Sequence, residues 1–111
     1  DEPILPCLAM GGAQGGIGGT TNYNGRCLTG ILEAWAAGDL DRARELQNFA
    51  QDVINVICHY RGNIVAGKRI MKLIGLDLGK NRTPFQNMTD EEEARMKAEL
   101  EAIDFFNRCN K

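Results

Sequence analysis

Apolar residues recur at three- and four-residue steps through most of the chain, the signature of helices with one buried face. Cys27, Leu28, Ile31, Leu32 and Trp35 share one face. They predict a helix opened by Asn22 or Asn24, running to about Ala37 and stopped by Gly38. Asp39 is placed to cap a second helix that extends to about Arg61. Leu40, Ala43, Leu46, Phe49, Ala50, Val53, Ile54, Ile57 and Tyr60 form a nearly unbroken stripe along it. Such a helix is roughly 30 Å long. Its stripe is too long and apolar to face water, so burial within the chain or in a subunit interface is expected. Gly62 ends it, and residues 66–73 predict a shorter helix with Lys68, Arg69 and Lys72 on its wet side, closed by Gly75. Residues 76–85 read as a loop. Thr89, Asp90, Glu91 and Glu92 form a capping box for a last helix, buried through Met96, Leu100 and Ile103 with Phe105 or Phe106. At the other end, Asp1, Glu2 and Pro3 suit a helix start. Ile4, Leu5, Cys7, Leu8 and Met10 suit a short helix closed by Gly11 and Gly12.

Residues 11–22, GGAQGGIGGTTN, break this pattern. They hold six of the thirteen glycines. Glycine in such density weakens helices and strands alike, so backbone there is expected to approach a ligand or another backbone closely. Residues 16–21 predict a short buried strand, with Gly18, Gly19, Thr20 and Thr21 facing whatever is bound. Ile17 and the apolar residues before it argue against a flexible linker. A dinucleotide loop is a poor match: Gly16-x-Gly18 is followed by Thr21 at the third glycine position, and no βαβ unit comes after it. Residue types alone leave a ligand-facing strand and a structural turn both open. The chain offers no second strand to pair with, so that strand must find its partners elsewhere.

At 111 residues there is room for one modest domain. The composition, 43% hydrophobic and 25% charged, is that of a globular protein. A net charge of −2 gives no electrostatic case for nucleic acid or an anionic membrane. No apolar run reaches the length of a membrane span. The chain opens without Met and in mid-pattern, and a fragment, a processed product or one piece of a split protein is expected. Cys7, Cys27, Cys58 and Cys109 form no CxxC pair, and His59 has no further ligand close in sequence, so no metal is expected. Cys7 and Cys58, among apolar neighbours, are expected to be small buried hydrophobes in a cytoplasmic protein with reduced thiols. The sequons at Asn81 and Asn87 carry little weight without a secretory signal. His59 reads as a half-exposed structural imidazole, and Asp1 with Glu2 is the polar pair nearest the glycine-rich segment.

Asp1-Glu2, the short apolar helix and Gly15-Gly16-Ile17-Gly18-Gly19-Thr20-Thr21-Asn22 come in an order that resembles the N-acetylneuraminate lyase and dihydrodipicolinate synthase superfamily. The resemblance continues through Gly38-Asp39, Leu46-Gln47 and Arg82-Thr83-Pro84-Phe85, and so spans nearly the whole chain. Asp-Glu ahead of the helix and Gly-Gly-Ile-Gly are more similar to the neuraminate lyases than to the synthases. The resemblance implies an α/β fold: the C-terminal part of a (β/α)₈ TIM barrel, with a helical C-terminal extension. Residues 1–37 would then close the barrel with its seventh helix, eighth strand and eighth helix, and residues 38–111 would form the extension. The chain alone would be mostly α.

The implied reaction is a class I aldol cleavage, of N-acetylneuraminate to N-acetylmannosamine and pyruvate, through a Schiff base on a lysine and without a cofactor. The family carries that lysine on its sixth strand, outside this sequence, so the chain alone is expected to be inactive and to need an upstream barrel segment. Asp1 and Glu2 match acidic residues that bind the sugar's hydroxyls. Gly18, Gly19 and Thr20 would lie at the strand's catalytic end. Gly19 stands where the lyases commonly have serine, which removes a hydroxyl contact. The resemblance further implies sialic acid and pyruvate as ligands and a homotetramer. Another pyruvate-dependent aldolase, a dihydrodipicolinate synthase included, and a non-enzymatic helical interaction module are the competing readings.

Overall fold

The computed structural model describes residues 1–110. Six helices follow one another: α1 (Ile4–Ala9), α2 (Thr21–Ala36), α3 (Leu40–His59), α4 (Gly62–Leu73), α5 (Asp90–Ala102) and α6 (Phe105–Arg108). α2 packs chiefly along α3, and α4, α5 and α6 close over that pair. The stripe predicted on α3 is the spine of the core: Ala43, Leu46, Phe49, Ala50, Val53, Ile54 and Ile57 are all buried, although Leu40 at its start is half exposed. Against it pack Tyr23 and Ile31 from α2, Val65 and Ile70 from α4, Met96 and Leu100 from α5, and Phe105 from α6.

Each helix ends where local chemistry stops it. Gly38 takes φ +75°, and its N–H and that of Asp39 return to the carbonyls of Trp35 and Ala34, at 3.0 and 2.9 Å. This double bond pattern is a Schellman close, which needs a left-handed residue at that point. Gly75 closes α4 in the same way, with its N–H on Lys72 and that of Leu76 on Met71. The Asp39 side chain accepts from the Arg42 N–H at 3.0 Å, and the Thr89–Glu92 box is complete in both directions. Two boundaries differ from the sequence expectation. α4 begins at Gly62 rather than Ala66, because Arg61 (φ +65°) and Gly62 (φ +75°) make the whole turn and the chain re-enters a helix at once. The last helix breaks at Asp104, left-handed at φ +58°, which lets Phe105 turn fully into the core while Phe106 stays half-buried.

The expected strand is not formed within the chain. No strand occurs among the described residues, and Gly15, Gly16 and Ile17 are exposed rather than buried. A strand exists only through a ladder of backbone bonds to a neighbour, and residues 13–18 have none here. The cysteine expectation is also corrected. Cys7 and Cys58 are exposed, and the buried thiols are Cys27 and Cys109. Cys7 sits on α1, a helix with no buried residue. Burial holds the Cys27 thiol up at about 11, and its Sγ lies 3.1 Å from the Leu46 carbonyl. His59 is more exposed than the half-exposed imidazole expected, with Nδ1 2.9 Å from Glu99 Oε2.

Candidate functional site

The glycine-rich segment enters α2 through Thr20, and the helix cap is not the one expected. Neither Asn22 nor Asn24 opens the helix; Thr20 does, and its hydroxyl is turned away from the helix N–H groups. That hydroxyl donates to Asp1 Oδ2, and the Thr20 N–H donates to the same oxygen at 3.1 Å. A carboxylate at the amino end of a helix also meets the favourable end of its dipole. Asp1 thus ties the chain ahead of α1 to the start of α2. Its side chain lies so close over Gly18 that a Cβ there would sit 1.7 Å from Oδ1. Gly18 is bare because Asp1 occupies that space.

Gln47 on α3 supports the other side of this tie. Its Nε2 donates to the Glu2 carbonyl at 2.7 Å, and its Oε1 accepts from the Leu5 N–H at 2.8 Å. The Glu2 side chain is itself exposed. Of the five residues singled out by sequence, Asp1, Gly18 and Thr20 therefore converge, Gly19 adjoins them, and the Glu2 carboxylate lies at the surface, 3.3 Å from the Asp1 amino group.

Gly19 faces a different neighbour. A Cβ on it would lie 1.9 Å from Nδ2 of Asn63, at the start of α4. Asn63 Oδ1 accepts a 2.6 Å hydrogen bond from the hydroxyl of Tyr23. Tyr23 is buried, and the loss of solvent pushes its phenol well above the usual range, so it remains a donor. These residues form one wall of a cavity of about 390 Å³, which Ile64, Met71 and Leu78 line on its apolar side. Lys68 also borders it, with Nζ 3.0 Å from the Lys80 carbonyl. The chemistry on offer is polar at Gly19–Asn63 and at Lys68 and apolar along Ile64, Met71 and Leu78, which suits a ligand that carries both polar and apolar groups. Asn63 and Tyr23 went unseen in the sequence. An asparagine just after a helix-breaking glycine carries no signal until α4 is brought against α2.

A second observation concerns the first turn of α2. The helix is irregular at Asn24 (φ −122°, ψ 20°), whose buried amide has no hydrogen-bond partner among the described residues. Asn110 reaches back to repair the turn. Its Nδ2 donates to the carbonyls of Thr21 and Asn22 at 3.0 and 3.3 Å, and its Oδ1 accepts from the Arg26 N–H at 2.9 Å. Asn110 thus ties down the first turn of α2, which follows directly on Gly19 and Thr20.

The model of the dihydrodipicolinate synthetase family matches residues 1–103. The chain belongs to this family. Among similar family members is the N-acetylneuraminate lyase of Mus musculus, 36% identical over 108 residues, which cover 96% of this chain and 33% of the relative. The enzyme of the same name from Rhizobium meliloti is 38% identical over 103 residues, 93% of this chain and 33% of the relative. Among solved structures, Proteus mirabilis N-acetylneuraminate lyase superposes with a TM-score of 0.86 at 32% identity, over 95% of this chain and 35% of that one. The lyase from Aliivibrio salmonicida gives 0.85 at 28% identity, over 94% and 34%. The chain therefore spans about a third of the length of the family members it matches. Its fold is the C-terminal part of a (β/α)₈ barrel with a helical extension. This accounts for the missing ladder, since in a barrel the neighbours of the last strand belong to other parts of the fold.

Proposed function

We propose that this chain completes a class I aldolase that cleaves N-acetylneuraminate to N-acetylmannosamine and pyruvate. Residues 1–37 close the barrel and residues 38–111 form the helical extension. The observation that carries the reading is the Asp1–Thr20 tie. It fixes the backbone at Gly18, next to Gly19 in the wall of a cavity with polar and apolar lining, in a chain of the dihydrodipicolinate synthetase family. In such a site Asp1 and Thr20 shape the loop, Asp1 and Asn63 fill the space over Gly18 and Gly19, and the Glu2 carboxylate, at the surface 3.3 Å from the Asp1 amino group, accepts from sugar hydroxyls.

The reaction needs an amine that this segment does not supply. A lysine on the upstream barrel segment condenses with the ketone of the sugar acid and releases water. The carbon–carbon bond then breaks, its electron pair moves into the protonated imine, and the hydroxyl proton passes to a base as the aldehyde leaves. Protonation of the enamine and hydrolysis return pyruvate and free lysine. The partners are thus the upstream segment, sialic acid and pyruvate, in a cytoplasmic homotetramer.

The test is borohydride reduction in the presence of pyruvate, read by intact mass. The isolated chain should gain no adduct, whereas a mixture with the upstream segment should gain one, on that segment alone. A stoichiometric adduct on this chain would overturn the division of roles. Assay of the joined protein with sialic acid and with rival keto acids separates the lyase from other pyruvate-dependent aldolases.

A further inference from the structure

Asn63 is held at the cavity wall from three sides. A Cβ on Gly19 would fall 1.9 Å from its Nδ2, and one on Gly67 would fall 3.0 Å from its Oδ1. The amide therefore lies in a slot that exists because two residues, one in the glycine-rich segment and one on α4, lack side chains. The Tyr23 hydroxyl, fixed in the core, donates to Oδ1 and sets the rotation of the amide plane. Nδ2 is left directed over Gly19 at the cavity wall, with two N–H donors and no protein acceptor on them among the described residues. An amide oriented this closely and left with free donors is preorganised for an acceptor that arrives from outside.

We propose that Asn63 Nδ2 is a specificity-determining donor to a hydroxyl oxygen on the distal chain of the bound polyhydroxy keto acid. Gly19 is bare so that this amide can lie over it, and Tyr23 is the positioning residue that aims it. The assignment rests on the aldolase reading above and adds to it a residue from the helical extension. A polar contact that would otherwise come from a side chain at position 19 comes instead from α4. The bland alternative is that Asn63 is only a strut between α2 and α4.

The experiment uses the complete barrel, with this chain joined to its upstream segment. Asn63→Asp keeps an acceptor for Tyr23 and removes both donors. With sialic acid, KM should rise about tenfold while kcat stays within about threefold, as for a lost ligand hydrogen bond. Pyruvate trapping by borohydride should be unchanged. With a shorter 2-keto-4-hydroxy acid that lacks the distal hydroxyls, the variant should match the parent, which a strut would not predict. Gly19→Ala displaces the amide without adding charge or a hydroxyl, so it should reproduce the KM rise and show no further loss when combined with Asn63→Asp. It also serves if Asn63→Asp fails to fold. An unchanged KM, or an equal rise on both substrates, would overturn the assignment and leave Asn63 a strut. A parent protein that traps no pyruvate would sink the aldolase reading itself, and this assignment with it.

Discussion

Removing the Phe49 ring tests whether α3 is the spine of this structure. Phe49 is 4% exposed and sits in the stripe that faces α2 and α6. The Arg108 guanidinium lies 3.8 Å from its ring centroid, and Arg108 Nη2 is 3.0 Å from Glu45 Oε1. Truncation to alanine loses the buried ring and leaves a cavity, a change that costs about 3–5 kcal/mol in well-packed cores. The cation–π contact adds about 0.5–1 kcal/mol at most, because Arg108 is still 30% exposed and water screens it. Burial therefore dominates, and the electrostatic partner is secondary. Arg108→Ala should accordingly lose about 1 kcal/mol or less, and Phe49→Leu, which keeps most of the volume, should fall between the two. The assay is equilibrium urea denaturation followed by far-UV circular dichroism, with the slope compared between variants so that a changed denatured state is not mistaken for lost stability. Phe49→Leu gives a usable value even where the alanine variant is too unstable to purify. A loss below about half a kcal/mol for Phe49→Ala, the range of surface sites, would refute the placement of α3.

Gly18→Ala should expel the Asp1 carboxylate and so resemble Asp1→Ala in urea stability. The double variant should be no worse than either single, and additive losses would show that Gly18 and Asp1 act separately. Glu92 is held down to about 2, first by its bonds from Arg61 and then by the Thr89 backbone, against an ordinary 4.5. A depressed carboxylate stabilises fully above the ordinary value, so this contribution should fade as pH falls from about 4.5 towards 2. Glu92→Gln should flatten that part of the stability–pH curve, and an unaltered curve would contradict the Arg61–Glu92 pair. In native thiol titration of this chain with a disulfide reagent, Cys7 and Cys58 should react quickly, and Cys27 and Cys109 only after urea. Fast modification of Cys27 would mean that the α2–α3 contact is open. Asn110→Ala should cost about 1 kcal/mol by freeing the carbonyls of the first turn of α2, and amide exchange should speed up there first. Unchanged exchange would place the stiffness elsewhere.

Much of the fold was legible in the residue order because helices answer to local rules. The 3.6-residue period marked the buried face of α3 and, through Cys27, Leu28 and Ile31, that of α2, where Leu32 and Trp35 are only half-buried. Gly38 and Gly75 marked closes that need a left-handed residue. Asp39 and the Thr89–Glu92 box marked helix starts, and both caps are present in the structure. The glycine-rich segment was legible as unusual, and Asp1, Gly18 and Thr20 do meet. Tertiary structure decided the rest. Whether residues 16–21 become a strand depends on backbone partners that none of the described residues supplies, so period and propensity could not settle it. Which cysteines are buried depended on the face each takes once the helices dock, and apolar neighbours in sequence pointed to the wrong pair. Asn63 acquires its place only when α4 is laid against α2 and Tyr23 reaches it, across 40 residues of chain. Local patterns determine where a helix starts, which face it buries and where it stops, because those depend on neighbours within a few residues. The slot between Gly19 and Gly67 is a property of distance between elements, and only packing could place an amide in it.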